Sequence, residues 1–165
     1  MRKKQFKILK NKLIERVSGF GVTVRISNGK FKRGNSYGVS GLYSSRKKRI
    51  NVVIRGRCSY LAILATLAHE IRHAEHHSKG LFPDYYDPVM ETKEYRTKIK
   101  DGLIIPPPVE EGQKAENDCD LFAVNWLKSE GYPLDRKKKS YQAFFKPYPI
   151  YNVFTYHLHR LVPKG

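Results

Sequence analysis

Residues 69 to 77 read HEIRHAEHH, and the first five, His69-Glu70-Ile71-Arg72-His73, have the spacing H-E-x-x-H. On an α-helix, residues four apart lie about 40° apart around the axis and about 6 Å along it. His69 and His73 can then aim imidazole nitrogens at one point, and imidazole holds Zn2+ at about 2.0–2.1 Å. Glu70 stands beside the first histidine. From there it can reach a water held by the ion and accept its proton as general base, the ion having lowered the pKa of that water. The plain alternative is a polar helix turn with chance histidines. The preceding residues argue against it, because Leu61 to Ala68 is apolar apart from Thr66. A helix apolar on nearly all sides is a buried one. Buried polar groups need partners, and a metal ion supplies one.

A catalytic zinc takes three protein ligands, so the two histidines need a third. His76 sits about 10 Å along a straight helix from His69 and cannot join the same ion. The longer pattern H-E-x-x-H-x-x-G-x-x-H also fails, with His76 at the glycine position and Lys79 at the final histidine. His76 and His77 read instead as helix-end residues, where the helix dipole favours positive charge. The better source is the segment ENDCDLFA, in which Glu116 and Asp120 stand four apart. One carboxylate can ligate the ion, and the other can accept the spare ring N–H of a ligand histidine and fix its tautomer. Glu91 and Glu94, in the segment between the two motifs, are the alternatives, and neither has an aspartate four residues later.

These residues must be held by elements that the hydrophobic periods predict. Phe6, Leu9, Leu13 and Val17 recur at helical spacing and Gly19 follows, which predicts a helix over 3–18. The period then falls to two, giving strands over 22–26, 37–44 and 49–55 and a small, mainly antiparallel sheet. Ser59 is positioned to cap the helix that carries HEIRH. Residues 78–112 form a Pro-rich insert, with a short helix expected over 87–100. A second long helix is expected over 113–130, with Ala115, Cys119, Phe122 and Trp126 as its apolar stripe and Gly131 and Pro133 ending it. A C-terminal helix is expected around 152–161. The class is α+β, and 165 residues fit one domain.

HEIRH followed by E-x-x-x-D resembles the gluzincin metallopeptidases. The segment ENDCDLFAVNWL is similar to the E-x-x-A-D/N-x-F-A helix of ImmA/IrrE-type minimal gluzincins, with Cys119 where alanine is usual. The predicted order of helix, three strands, HExxH helix and Glu helix matches that compact zincin fold, and the resemblance covers roughly residues 50–130. It implies a single metallopeptidase domain over 1–165. It also implies one zinc ion held by His69, His73 and Glu116, with Glu70 as base and Asp120 behind a ligand. The long insert and the basic first third depart from the family pattern. An oxyanion-stabilising Tyr or His is expected in such a site, and Tyr132, Tyr141, Tyr156, His157 and His159 are the candidates. The substrate would be an extended peptide or protein segment. A narrower version is a regulator that cleaves one partner protein, as the resemblance to repressor-cleaving ImmA-like proteins implies.

The charge points elsewhere as well. The net charge is +17, with 32 Lys/Arg against 15 Asp/Glu. Residues 1–60 hold 17 cations and one acid, Glu15, for +16, and the remaining 15 cations nearly balance 14 acids. A field of that size draws nucleic acid or acidic protein surfaces. The second reading is therefore a basic nucleic-acid-binding protein with a structural or vestigial zinc. Two cysteines, Cys58 and Cys119, form no disulfide framework. The N-terminal segment is too interrupted by lysine to be a signal peptide, and no apolar run is long enough to span a membrane. The expected location is the cytoplasm.

Overall fold

The computed structural model describes residues 1–29, 38–56, 58–83, 85–86 and 109–133. The elements run α1 (Lys3–Ser18), β1 (Thr23–Asn28), β2 (Gly38–Ser44), β3 (Arg49–Arg55), α2 (Tyr60–Ser78) and α3 (Val109–Ser129). This is the α+β layout the periods predict, with a helix, three strands, the HExxH helix and the Glu helix in that order. The expected helices over 87–100 and 152–161 lie outside the described residues.

The sheet order is β1-β3-β2. β3 pairs antiparallel with β2, from Gly38↔Arg55 to Ser44↔Arg49. It pairs parallel with β1, from Thr23↔Arg49 to Asn28↔Ile54. The sheet is thus mixed, and the expected antiparallel character holds for one of its two pairings. The core explains the central place of β3, since Ile50 and Val52 are fully buried.

α2 is the axle of the fold. It packs against α1, β2, β3 and α3. Its first half, with Ile63, Leu64, Ala65, Leu67 and Ala68 buried, meets Leu9, Leu13 and Val17 of α1 and the core face of the sheet. Ser59 caps it as expected, its Oγ accepting from the Ala62 N–H at 3.1 Å. The helix stops at a left-handed Gly80 (φ +66°), where the Leu81 N–H reaches back to the His76 carbonyl at 2.9 Å and the Gly80 N–H to that of His77 at 3.1 Å. Gly131 closes α3 the same way, with the Tyr132 N–H on the Leu127 carbonyl at 2.8 Å.

α3 starts four residues earlier than expected. Its buried row is Ala115, Cys119, Ala123 and Leu127, while Phe122 and Trp126 of the predicted stripe are only partly buried at its side. Four-residue spacing tracks the contact line with α2 and so carries Ala123 and Leu127 inward. Glu116 and Asp120, one position further round, lie against α2 and are also buried. No helix among the described residues is long and apolar enough to cross a membrane.

Candidate metal centre

Half-way along α2 the apolar row gives way to His69, Glu70 and His73, all 8% exposed or less. The Nε2 atoms of His69 and His73 face each other at 2.9 Å. Across the helix interface, Glu116 of α3 presents Oε2 at 3.1 Å from His69 Nε2 and Oε1 at 3.4 Å from His73 Nε2. Three donors about 2.0–2.1 Å from a tetrahedral ion would stand about 3.4 Å from one another. The three predicted ligands are brought together with spacings close to that.

The other ring nitrogen of each histidine is engaged. His69 Nδ1 pairs with Asp120 Oδ1 at 2.8 Å, the outer partner that the Glu116/Asp120 spacing predicts. His73 Nδ1 meets the Tyr86 hydroxyl at 2.6 Å. Both rings therefore turn Nε2, not Nδ1, toward Glu116. Burial disfavours a charged His69, but the Asp120 and Glu116 hydrogen bonds and the Glu116 and Glu70 charges outweigh it and raise its pKa to about 10. Burial pushes the Asp120 carboxyl up too, against its hydrogen bond to His69. The pair holds one proton, and we place it on the imidazole, where three carboxylates favour it. In the metal-free protein this pocket selects for positive charge.

Cys119 adds a fourth possibility, since its Sγ lies within 4.8 Å of ligand atoms of His69 and His73. Glu116 is the better third donor. Its oxygens are closer to both Nε2 atoms, whereas burial and then the carboxylates of Glu116, Glu70, Asp118 and Asp120 hold the Cys119 thiol well above its usual pKa. Glu91 and Glu94 lie outside the described residues.

Glu70 reaches the sheet while its charge still acts on His69. Its Oε2 accepts the Tyr43 backbone N–H at 2.7 Å. A Cβ on Gly41 would overlap the Glu70 Cγ and Oε1, so the bare backbone of β2 is what lets this carboxylate in.

Two tyrosines missed by the sequence reading complete the pocket. The Tyr85 hydroxyl donates a hydrogen bond to Glu116 Oε1, and Tyr86 holds His73. Both belong to the expected insert, directly after α2, and no periodic pattern marks them. The only available signal was the dipeptide Tyr85-Tyr86 itself, a pair of phenols soon after a metal-binding motif. Tyr132, an expected oxyanion candidate, is not at the site, being beyond the end of α3 and about 20 Å along the helix from Glu116. Tyr141, Tyr156, His157 and His159 lie outside the described residues.

The expectation for His76 is corrected. It is in the last turn of α2 but 1% exposed, with Nε2 on Asp118 Oδ2 at 2.7 Å and Nδ1 on the Tyr86 hydroxyl at 3.1 Å. Burial lowers its pKa, and the charges of His73 and Arg72 add to that against the Asp118 hydrogen bond. It is a neutral ring inside the protein, not a cation on a helix dipole. His77 is half-buried, its Nδ1 at 2.7 Å from the Tyr43 hydroxyl.

No family model, no curated protein and no solved structure matches the chain. The functional reading stands on the site.

Proposed function

We propose that the chain is a zinc metallopeptidase of the minimal gluzincin type, with His69, His73 and Glu116 as ligands and Glu70 as general base. One observation carries the reading. With both Nδ1 atoms engaged elsewhere, two Nε2 atoms 2.9 Å apart and a buried carboxylate converge on one point, a donor set and spacing that suit a divalent cation in place of the proton held there. Zinc bound there would polarise a substrate carbonyl and make a water more acidic. The protein's own part is proton handling and alignment. Glu70, fixed by the Tyr43 N–H, accepts the proton of the attacking water and delivers it to the leaving amine. β2 stands at one end of the sheet order, and Glu70 meets it at Gly41 and Tyr43. An extended peptide adding to that edge would run past Glu70. The cytoplasm, where two thiols stay reduced, is the compartment this reading fits.

The test is metal content and hydrolysis of an unfolded protein substrate by wild type, Glu70→Gln and Glu116→Ala. Expected are one zinc in the wild type, zinc kept but hydrolysis reduced about 10²–10⁴-fold in Glu70→Gln, and zinc lost in Glu116→Ala. Full hydrolysis by Glu70→Gln would overturn the mechanism. The +16 of residues 1–60 favours a second reading, nucleic-acid binding, which is compatible with the first: such a protease would cut proteins bound to nucleic acid.

A further inference from the structure

Beyond the ligands, one set of contacts runs from α2 through Tyr86 and on to α3, and has no role in the proton handling above. His73 Nδ1 meets the Tyr86 hydroxyl at 2.6 Å. The same hydroxyl meets His76 Nδ1 at 3.1 Å. His76 Nε2 meets Asp118 Oδ2 at 2.7 Å, and Arg72 Nε donates to that same oxygen at 2.6 Å. Tyr86, His73 and His76 are all buried.

With both rings neutral, the donor and acceptor inventory allows one arrangement of protons here. The Asp118 carboxylate only accepts, so His76 carries its proton on Nε2. His76 Nδ1 is then an acceptor, and the Tyr86 O–H donates to it. The phenol oxygen is left to accept from His73, which therefore carries its proton on Nδ1. Its Nε2 is a bare lone pair facing His69 and Glu116. Reversing any one bond leaves two donors or two acceptors face to face inside the protein, at the cost of a buried unsatisfied group.

We propose that Tyr86 and His76 are positioning residues for His73, a directed hydrogen-bond chain anchored on Asp118 and Arg72 that fixes the tautomer and ring orientation of this ligand. It does for His73 what Asp120 does for His69, with a neutral phenol and imidazole in place of a carboxylate. His76 is then the reason the HEIRH motif continues as HEIRHAEH: it lies beyond reach of the ion and acts one residue removed from it. The inference rests on the metal reading for what the alignment is for, but the proton arrangement is a property of the chain itself.

The experiment is long-range ¹H–¹⁵N NMR of the histidine rings in the full chain, with and without zinc, beside zinc affinity of wild type, Tyr86→Phe and His76→Phe. Expected in the wild type are the Nδ1–H tautomer for His73 and the Nε2–H tautomer for His76. Expected in Tyr86→Phe is zinc binding weakened about 10–100-fold, the usual effect of losing a ligand's outer partner, with the His73 ring no longer in a single tautomer. His76→Phe leaves the phenol without its acceptor and is expected to weaken zinc in the same range. His76 with its proton on Nδ1 in the wild type would overturn the proposal even if no variant folds. So would a Tyr86→Phe protein that keeps both zinc affinity and the His73 tautomer. A wild type that takes up no zinc would overturn the metal reading instead, and the ring tautomers of the zinc-free chain would still decide this one.

Discussion

At the scale of single residues, the site is governed by which nitrogen and which oxygen hold protons. His69 is the sharpest case, raised from 6.5 to about 10 because Asp120, Glu116 and Glu70 overcome burial. A group whose folded pKa lies above its unfolded value stabilises the fold fully below the unfolded value and loses that contribution as pH rises through the folded one. Zinc-free protein should therefore lose melting temperature between about pH 6.5 and 10, and His69→Asn should flatten much of that slope. Zinc takes the place of the proton, so binding at pH 7.5 should release about one proton, readable by calorimetry in two buffers of different ionisation enthalpy. A zinc-free stability that is flat across this window, or uptake without proton release, would show that His69 is neutral in the free protein. The convergence of the proposed ligands was legible in the sequence because four-residue spacing is a statement about one helix face. His69 and His73 satisfy it on α2, and Glu116 and Asp120 on α3. Tyr85, Tyr86 and the inward turn of His76 were not, because a phenol reaches its partner here through a non-periodic return of the chain, and only the packed fold shows where that return leads.

At the scale of elements, α1, α2 and α3 are tied by a charged clamp beside the site. Glu75 is 3% exposed. Its Oε1 accepts from Arg16 of α1 at 2.8 Å and its Oε2 from Arg72 at 3.0 Å. Both guanidiniums sit over the Phe122 ring of α3, at 5.0 and 5.6 Å from its centre. Removing one partner of a buried ion network strands the others. Glu75→Ala should cost about 1.5–3 kcal/mol in urea unfolding, because it removes two charge-assisted hydrogen bonds while Arg72 keeps Asp118. Arg16→Ala should cost about 1 kcal/mol or less, because Arg16 is half-exposed and Glu75 keeps Arg72. A Glu75→Ala protein within about 1 kcal/mol of wild type would mean that the clamp is an ornament of the surface. The helices and strands themselves were readable from their periods, and α1 from 3 to 18 needed no revision. The direction of β1 was not. A two-residue period says which side chains share a face, and nothing about whether a neighbour runs up or down. β3 lies between β1 and β2 with Ile50 and Val52 wholly covered, a property of the assembled core. Phe122 and Trp126 misled for a related reason: large aromatics dominate a helical stripe on paper, yet the buried row of α3 is Ala115, Cys119, Ala123 and Leu127, with Glu116 and Asp120 beside it.

At the scale of the whole molecule, two charge populations coexist. The carboxylates Glu70, Glu116, Asp118 and Asp120 gather at the centre, while 17 of the 32 cations lie within the first 60 residues. On α1, Lys12 pairs with Glu130 at 2.9 Å and Arg16 with Glu75 at 2.7 Å. Lys3, Lys4 and Lys7, on the first two turns, are exposed and make no ion pair among the described residues. A run of cations on one helix end is where a polyanion would gain by releasing its counterions. Each phosphate neutralised adds about −0.9 to the slope of log affinity against log salt. If these three lysines each meet a phosphate, their share of the affinity for duplex DNA should fall about 40-fold between 50 and 200 mM salt. Replacing all three with alanine should make the slope shallower by about 2.7, while Glu116→Ala, which acts only at the centre, should leave it unchanged. Fluorescence anisotropy with a labelled duplex measures both. An unchanged slope in the triple variant would move the contact to the cations of β1 to β3. Absent or salt-insensitive binding in the wild type would remove nucleic acid as a partner, leaving the basic third as a solvated surface and peptide hydrolysis as the one proposal standing for the site.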